Sequence, residues 1–202
     1  GSATDRAWVA NFWGVDAVPE RPGRTAVELF DALESGDVKA VWIACTNPAQ
    51  SLPHLDRVQS ALARAEFVVL QDAFSTTETA PFADLLLPAA SWGEKDGTVT
   101  NSERCITRVR RAVEPPAEAR ADWRIACDFA LALGRCLEKD AATLFPYLTP
   151  ETIFLEHAQS TRGRDLDIAE LDYTVLDRDG PQQWPYRDGK GTARLYTDGR
   201  FP

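Results

Sequence analysis

The chain has 202 residues, of which 44% are hydrophobic and 26% are charged, as is usual for a globular protein. Its formal net charge of -9 argues against a nucleic acid or an anionic membrane as a partner, because both attract basic surfaces. No apolar run reaches the roughly 20 residues of a membrane helix, and no signal-peptide pattern is present.

Cysteines and histidines give no sign of a metal or catalytic centre. The four cysteines are scattered, with no C-x-x-C pair, which argues against a zinc site, an iron–sulfur cluster and a disulfide framework. His54 and His157 lie far apart without a flanking ligand pattern. No nucleophile–base pair stands out either. We therefore predict no catalytic residue and no metal ligand in this chain, and a reducing, cytoplasmic setting.

The first residues are interpreted as an entry segment rather than an independent unit. The chain contains no Met and begins with Gly1-Ser2, which we interpret as a cloning remnant on an internal piece of a longer protein. Residues 1–24 are this remnant and an entry segment. A helix is then predicted over 26–33, with Gly36 ending it and an inward face made of Val27, Phe30 and Leu33.

Three apolar strands follow, separated by helical segments. They are predicted at 38–45 ("VKAVWIAC"), 66–72 ("EFVVLQD") and 83–90 ("ADLLLPAA"). Pro53 is predicted at the first position of a helix whose apolar face is Leu55, Val58, Leu62 and Ala65. Alternation of this kind predicts an α/β fold with a parallel sheet, in which the strands end at one edge and ligands bind beyond that edge.

The remainder of the chain departs from this alternation. Residues 97–113 are predicted to form a hairpin or β arm with a turn near Asn101. Asp122 is predicted to cap a helix that ends at Gly134, with an apolar stripe of Trp123, Ala126, Ala130 and Leu133. Another helix is predicted over 151–158, after Thr149-Pro150. From about residue 159 the composition predicts an irregular tail.

Polar groups cluster in three loops at the predicted strand ends. Thr46, Asn47 and Pro48 precede a helix start that could offer backbone N–H groups to an anion, or form a simple turn in which Asn47 and Ser51 bond their own backbone. Asp72 could accept from a guanine edge, or be one of the acidic residues that commonly follow buried strands. Ser75-x-x-Glu78 also fits a capping box.

The third loop is open to two interpretations. Residues 92–104 are either a binding loop or a surface salt-bridge cluster. Neither G-x-G-x-x-G nor a phosphate-binding P-loop is present.

Three segments together resemble one family. They are "AVWIACTNPAQSLP", the block from "EFVVLQDAFSTTETAPFADLLLPAASWGEKDGTVTNSERC" through "ADWRIA", and "TRGRDLD" with "GPQQWP". They resemble the molybdopterin oxidoreductases of the dimethyl-sulfoxide-reductase type, most closely the assimilatory nitrate reductases. The likeness covers nearly the whole chain. It implies a Rossmann-like, mostly parallel sheet flanked by helices, with a β arm and an irregular C-terminal tail.

The resemblance also implies a cofactor and its contact residues. Residues 25–136 would bind one molybdopterin guanine dinucleotide, and 137–202 would be a helix and linker toward a further domain. Thr46, Asn47 and Pro48 would lie near the phosphates, with Gln71 and Asp72 facing the guanosine. Thr77, Glu78 and Thr79 would continue that wall. Gly97, Thr98 and Asn101 would approach the pterin.

The family pattern leaves alternatives open. Its members commonly read "ERR" where this chain has Glu103-Arg104-Cys105, so any role of the second Arg is absent here. The resemblance implies a bis-cofactor with molybdenum, and an iron–sulfur cluster that lies outside this chain, in a parent that reduces nitrate. Expected partners are the parent's other domains and an electron donor. The alternatives are a formate dehydrogenase of the same family and a scaffold domain that binds no dinucleotide.

Overall fold

The computed structural model describes residues 2–197, 199 and 200. Its helices are α1 (Ala3–Trp13), α2 (Ala26–Ser35), α3 (Pro48–Ser51), α4 (Leu55–Arg64), α5 (Asp122–Cys136), α6 (Ala141–Leu144), α7 (Pro150–Ser160) and α8 (Tyr173–Asp179). Its strands are β1 (Ala40–Ala44), β2 (Phe67–Asp72), β3 (Leu85–Pro88), β4 (Gly97–Thr100), β5 (Cys105–Val109), β6 (Gln182–Gln183), β7 (Tyr186–Arg187) and β8 (Lys190–Gly191). Within the described residues, no helix is long and apolar enough to cross a membrane.

Contacts divide the chain into two units. The sheet unit comprises residues 19–91 and 115–128, and the hairpin unit comprises the described residues of 1–18, 92–114 and 129–202. This grouping differs from the sequence segments 1–24, 25–136 and 137–202. The roles that we assigned to those segments remain predictions.

The sheet unit is built on a three-stranded parallel sheet in the order β1-β2-β3. Ala40 pairs with Phe67 and Ala44 with Gln71, so β1 and β2 run side by side over their whole common length. Val69 pairs with Leu85 and Asp72 with Pro88 in the next ladder. The predicted α/β fold, with a parallel sheet and flanking helices, is therefore confirmed.

The core of the sheet unit lies between one face of the sheet and helices α2 and α4. It is formed by Phe30, Leu33, Val41, Ile43, Ala49, Val58, Ala61, Leu62, Val68 and Leu70. Thr25 caps α2, and Gly36 ends it in the left-handed region at φ 86°, as predicted. Val27 was predicted to face inward, but it is exposed, because the buried positions of α2 are Phe30, Ala32 and Leu33.

Two expectations about this unit are wrong. Proline occupies the first position of a helix at Pro48, which begins α3, whereas Pro53 lies between α3 and α4. The third strand was predicted to be buried, but Leu85 and Leu86 are exposed. The buried cluster that α2 and α4 form with β1 and β2 does not extend to either leucine of β3.

Helix α5 is longer than predicted and buries different residues. It begins at Asp122 and runs through Gly134 to Cys136. Ala126 and Leu133 of the predicted apolar stripe are exposed, whereas Ile125 and Cys127 are buried. Gly134 does not end the helix. A Cβ atom at this position would lie 2.5 Å from the Cβ of Ala141, so a glycine permits the close approach of α6.

The hairpin unit contains the predicted β arm and a second core. Strands β4 and β5 pair antiparallel around a turn at residues 101–104, and β6 pairs with β5. The core comprises Ile106, Phe154, Ala158, Ile168, Leu171, Tyr173, Leu176 and Tyr186. Thr149 caps α7 and Pro150 begins it, as predicted.

Sequence reasoning missed regular structure at both ends of this unit. The segment predicted to be irregular from residue 159 contains α8 and strands β6 to β8, and several of its apolar residues are buried. The entry segment contains α1, which Ser2 caps through the N–H of Asp5. The Arg164 guanidinium donates to the Asp5 carboxylate at 2.8 Å and lies 4.6 Å from the ring centroid of Trp8.

Candidate functional site

The three parallel strands end at one edge of the sheet, here called the carboxyl edge. The N–H of Cys45 donates to the carbonyl of Gln71 at 3.0 Å, and the N–H of Ala89 donates to that of Asp72 at the same distance. The loops that follow β1, β2 and β3 therefore leave the sheet side by side, as parallel pairing predicts. Ligands of open α/β sheets bind beyond this edge.

Asn47 joins the first loop to the second. Its Oδ1 accepts from the hydroxyl of Thr79 at 2.6 Å and from the N–H of Thr79 at 3.1 Å. Its Nδ2 donates to Oε2 of Glu78 at 2.5 Å and to Oε1 of Gln50 at 3.2 Å. The structure thus brings together Asn47, Glu78 and Thr79 of the predicted site.

Thr79 also connects the two loops through its own side chain. It is fully buried, and its hydroxyl accepts the N–H of Ala49 at 3.2 Å. Helix α3 therefore offers no free N–H group at its first two positions, because Pro48 has none and that of Ala49 is bonded. Ser51 does bond its own turn, donating to the carbonyl of Asn47, while the Asn47 side chain reaches the second loop instead.

Glu78 is part of this joint and does not form the predicted capping box. The residues after it form a 3-10 turn, Ala80–Phe82, which has no side-chain cap. The hydrogen bond from Asn47 lowers the pKa of Glu78 below its ordinary value. Its carboxylate is therefore held ionised at the surface of the second loop.

Asp72 ends β2 with one carboxylate oxygen still available. Its Oδ1 accepts the N–H of Phe74 at 2.9 Å, and its Oδ2 has no hydrogen-bond partner among the described residues. Gln71 is more enclosed, with 4% of its surface exposed, and its amide donates to the carboxylate of Asp122 at 2.9 Å. Asp72 is thus better placed than Gln71 to accept from a ligand.

Two threonines of the predicted site have unused hydroxyls. The Oγ1 of Thr77 is buried and has no partner in the described part of the chain. Thr46 is exposed directly after Cys45, and its hydroxyl makes no hydrogen bond to any described residue. A polar atom that is buried without a partner is uncommon in folded proteins, and a bound ligand is one way to satisfy it.

Asp122 is a residue of this edge that sequence reasoning missed as a site residue. Its Oδ1 accepts from the Gln71 amide, and the thiol of Cys45 donates to the same oxygen at 3.2 Å. Arg120, two residues earlier, exchanges backbone hydrogen bonds with Pro88 and Ala90. These two backbone hydrogen bonds place the start of α5 beside the ends of the strands. No local pattern could reveal the contact, because Gln71 and Asp122 are 51 positions apart.

Gly97, Thr98 and Asn101 lie in the hairpin unit. Gly97 and Thr98 begin β4, where Thr98 pairs with Arg108. The carbonyl of Gly97 accepts from the Arg108 guanidinium at 3.1 Å. The Oδ1 of Asn101 closes the hairpin turn by accepting the N–H groups of Glu103 and Cys105 at 2.9 and 3.0 Å.

Charged residues of the 92–104 loop are partly engaged in structure. Asp96 lies 3.5 Å from the guanidinium of Arg108, which in turn packs 3.7 Å from the ring centroid of Tyr173. Arg104 donates to the carbonyls of Trp184, Thr192 and Ala193. The salt-bridge interpretation therefore accounts for Asp96. The guanidinium of Arg104 is bonded to backbone carbonyls of the C-terminal segment and is not free in solvent.

Comparison with known proteins identifies the family. Residues 7–132 match the protein-family model described as molybdopterin oxidoreductase. The chain belongs to the molybdopterin oxidoreductase family. The family implies a molybdopterin cofactor. The carboxyl edge carries an available carboxylate oxygen on Asp72 and an unpaired hydroxyl on Thr77.

Curated relatives include enzymes with two different substrates in their names. The chain is 44% identical to a nitrate reductase of Klebsiella oxytoca over 88% of its length, and 40% identical to the assimilatory nitrate reductase catalytic subunit of Bacillus subtilis over 96%. It is also 40% identical to the F420-dependent formate dehydrogenase subunit alpha of Methanocaldococcus jannaschii over 93%. The chain spans only 21%, 27% and 26% of these three relatives.

One solved structure supports the fold. The acetylene hydratase from Pelobacter acetylenicus aligns with 93% of this chain and 25% of its own, at a TM-score of 0.62 and 20% sequence identity. At that identity the likeness supports the fold of this molybdopterin oxidoreductase chain and carries no argument about its substrate.

Proposed function

We propose that this chain holds one molybdopterin guanine dinucleotide within a nitrate reductase that converts nitrate to nitrite. The observation that carries the proposal is the carboxyl edge, where Asp72 keeps an oxygen available beside a loop pair pinned by Asn47 and Thr79. Identities of 44% and 40% to nitrate reductases support the choice of substrate. When bound in such an enzyme, the cofactor supplies two-electron oxygen-atom transfer at molybdenum.

Asp72 is the proposed guanine-reading residue. Guanine presents two adjacent donors, its ring N–H and its exocyclic amine, and a carboxylate offers two acceptors in matching geometry. Because the backbone N–H of Phe74 fixes the Asp72 carboxylate from one side, its second oxygen needs little reorganisation to bind a base. Gln71 supports this position from within the strand.

The other predicted residues contribute in two ways. Asn47, Pro48, Glu78 and Thr79 build the wall, since the side chains of Asn47 and Thr79 are already bonded to each other. Thr46 is exposed and keeps a hydroxyl that can donate to phosphate oxygens. Thr77 continues the wall, and its buried hydroxyl has no partner among the described residues. In the hairpin unit, Gly97, Thr98 and Asn101 are proposed to approach the pterin, with Asn101 acting through the turn that its side chain closes.

Nucleotide titration tests the proposal on this chain. We expect guanosine diphosphate to shift the backbone NMR signals of residues 46–48 and 72–79, and adenosine diphosphate to shift them less. Asp72→Asn should remove the preference for guanosine, because an amide presents one donor where the guanine edge requires two acceptors. Asp56→Asn, at an exposed position of α4, is the matched control. Equal responses to both nucleotides in the wild-type chain would contradict base reading by Asp72.

A formate dehydrogenase is the second candidate, favoured by the 40% identity to the relative from Methanocaldococcus jannaschii. A scaffold domain without a dinucleotide is the third. Assay of the full-length enzyme with nitrate and with formate separates the first two, and activity on formate alone would reject nitrate reduction. Specific nucleotide binding would reject the scaffold.

The proposal extends to the rest of the enzyme. A nitrate reductase of this kind requires a bis-cofactor with molybdenum, an iron–sulfur cluster and an electron donor, which we assign to other domains or partners in a cytoplasmic enzyme. The isolated chain is expected to be inactive with nitrate. Metal and iron analysis of the full-length protein is the direct measurement.

A further inference from the structure

Phe74 is one of the most exposed large apolar side chains among the described residues. Its ring lies in the loop after β2, and 68% of the residue is exposed. Most neighbours in this loop are small or polar, including Ser75, Thr76 and Thr77. No other Phe, Tyr or Trp occurs in residues 45–54 or 73–79, the two loops joined by Asn47.

The position of Phe74 is tied to Asp72. The backbone N–H of Phe74 donates to Oδ1 of Asp72 at 2.9 Å, so the carboxylate that keeps an available oxygen also sets the turn that presents the phenylalanine. This is a local side-chain-to-backbone turn of the kind that Asp forms with the residue two positions later. The acceptor carboxylate and the backbone that carries the aromatic ring therefore belong to one local turn.

A purine has two recognition surfaces that this motif matches. Its edge carries hydrogen-bonding groups, which a carboxylate can satisfy, and its faces are flat and aromatic. Bases stack readily on exposed aromatic side chains, and the stacking is sequence-tolerant because every base has such a face. A carboxylate by itself selects an edge but leaves both faces in water.

We propose that Phe74 is the stacking residue for the base that Asp72 binds by its edge. This inference rests on the proposed function, since it concerns the same bound guanosine. It adds a division of labour within the site. Asp72 determines which base is bound, and Phe74 contributes affinity that is nearly independent of the base.

The test measures the dissociation constants of guanosine diphosphate and adenosine diphosphate for the intact chain by NMR titration. Phe74→Leu keeps an apolar side chain but removes the ring, and should weaken both nucleotides roughly 5- to 100-fold. Phe74→Trp should retain or strengthen binding. Phe67→Leu is the matched control, because Phe67 is also an exposed phenylalanine, at 45%, but lies at the opposite end of β2 from Asp72.

The outcomes separate the two proposals. Guanosine binding that is lost in Asp72→Asn but unchanged in Phe74→Leu would leave the proposed function standing and overturn the stacking role. Equal weakening by Phe74→Leu and Phe67→Leu would also overturn it. No binding of either nucleotide to the wild-type chain at millimolar concentration would reject both. Thermal unfolding of each variant shows whether a loss of binding reflects a loss of folding.

Discussion

Asn47 is the residue on which the carboxyl edge depends most. One side chain satisfies the N–H and hydroxyl of Thr79 and donates to two further oxygens. Since Thr79 is fully buried, its polar groups would have no solvent to replace a lost partner. A single amide thus fixes the relative positions of the loops that follow β1 and β2.

Asn47→Ala should destabilise the protein by about 1–3 kcal/mol, because it leaves buried polar groups of Thr79 without a partner. The free energy of unfolding can be measured by urea denaturation. Gln50→Ala is the control, since it removes only the exposed acceptor of the same amide and should change stability by less than about 0.5 kcal/mol. Similar values for the two variants would show that the Asn47–Thr79 contact is not structural.

The pKa of Glu78 reports on the same joint. The Asn47 hydrogen bond lowers it in the folded state, so the contact contributes stability above the unfolded pKa, near 4.5, and loses it as pH falls through the lowered folded value. We expect an NMR titration midpoint below 4.5 in the wild type, and a rise toward 4.5 in Asn47→Ala. Gln50→Ala should keep the low midpoint. An unchanged midpoint in Asn47→Ala would assign the lowering to another group.

At the scale of elements, sequence patterns predicted secondary structure best where neighbouring residues determine it. Gly36 and Thr149-Pro150 lie at helix ends as predicted, and the apolar runs 38–45 and 66–72 contain β1 and β2. Burial was harder to predict. Leu85 and Leu86 look like core residues in sequence, but their exposure depends on what lies beside β3, which a local pattern does not contain.

Helix α5 shows a different limit. Gly134 was taken as a helix end because glycine commonly follows helices. In the structure it continues the helix, and its missing side chain makes room for Ala141. The signal that a glycine serves close packing lies in a residue seven positions later, after a turn whose geometry the sequence does not specify.

Gly134→Ala tests this close approach. The new Cβ would lie 2.5 Å from the Cβ of Ala141 and 3.0 Å from the carbonyl oxygen of Lys139. We expect a loss of about 1–3 kcal/mol from overpacking, although alanine is the better helix former by about 1 kcal/mol. Gly93→Ala is the control, because a Cβ there meets nothing within 4 Å. A stabilised Gly134→Ala variant would mean that α6 moves away at no cost.

At the scale of the whole molecule, two cores stabilise two units. The core of the sheet unit comes from one short stretch of sequence, residues 30–70. The core of the hairpin unit joins Ile106 to Phe154, Leu171 and Tyr186, over 80 positions of sequence. Hydrophobic periodicity can predict the core of the sheet unit, because its residues are close in sequence. The core of the hairpin unit depends on the pairing of β6 with β5, which involves only two residue pairs and leaves no pattern in the sequence.

Leu70 and Leu171 are the leucines that test these cores. They are 0% and 1% exposed, and replacement of either by alanine should cost about 2–5 kcal/mol through lost burial and the cavity that remains. Hydrogen exchange should rise in β1 and β2 for Leu70→Ala, and in β5 and α8 for Leu171→Ala, because the contacts of each leucine lie within its own core. Leu85→Ala, at a residue 42% exposed, is the control and should cost clearly less. A loss at Leu171 no larger than at Leu85 would mean that residues 168–186 add little to the stability of the hairpin unit, and would return that segment to the irregular tail that its composition suggests.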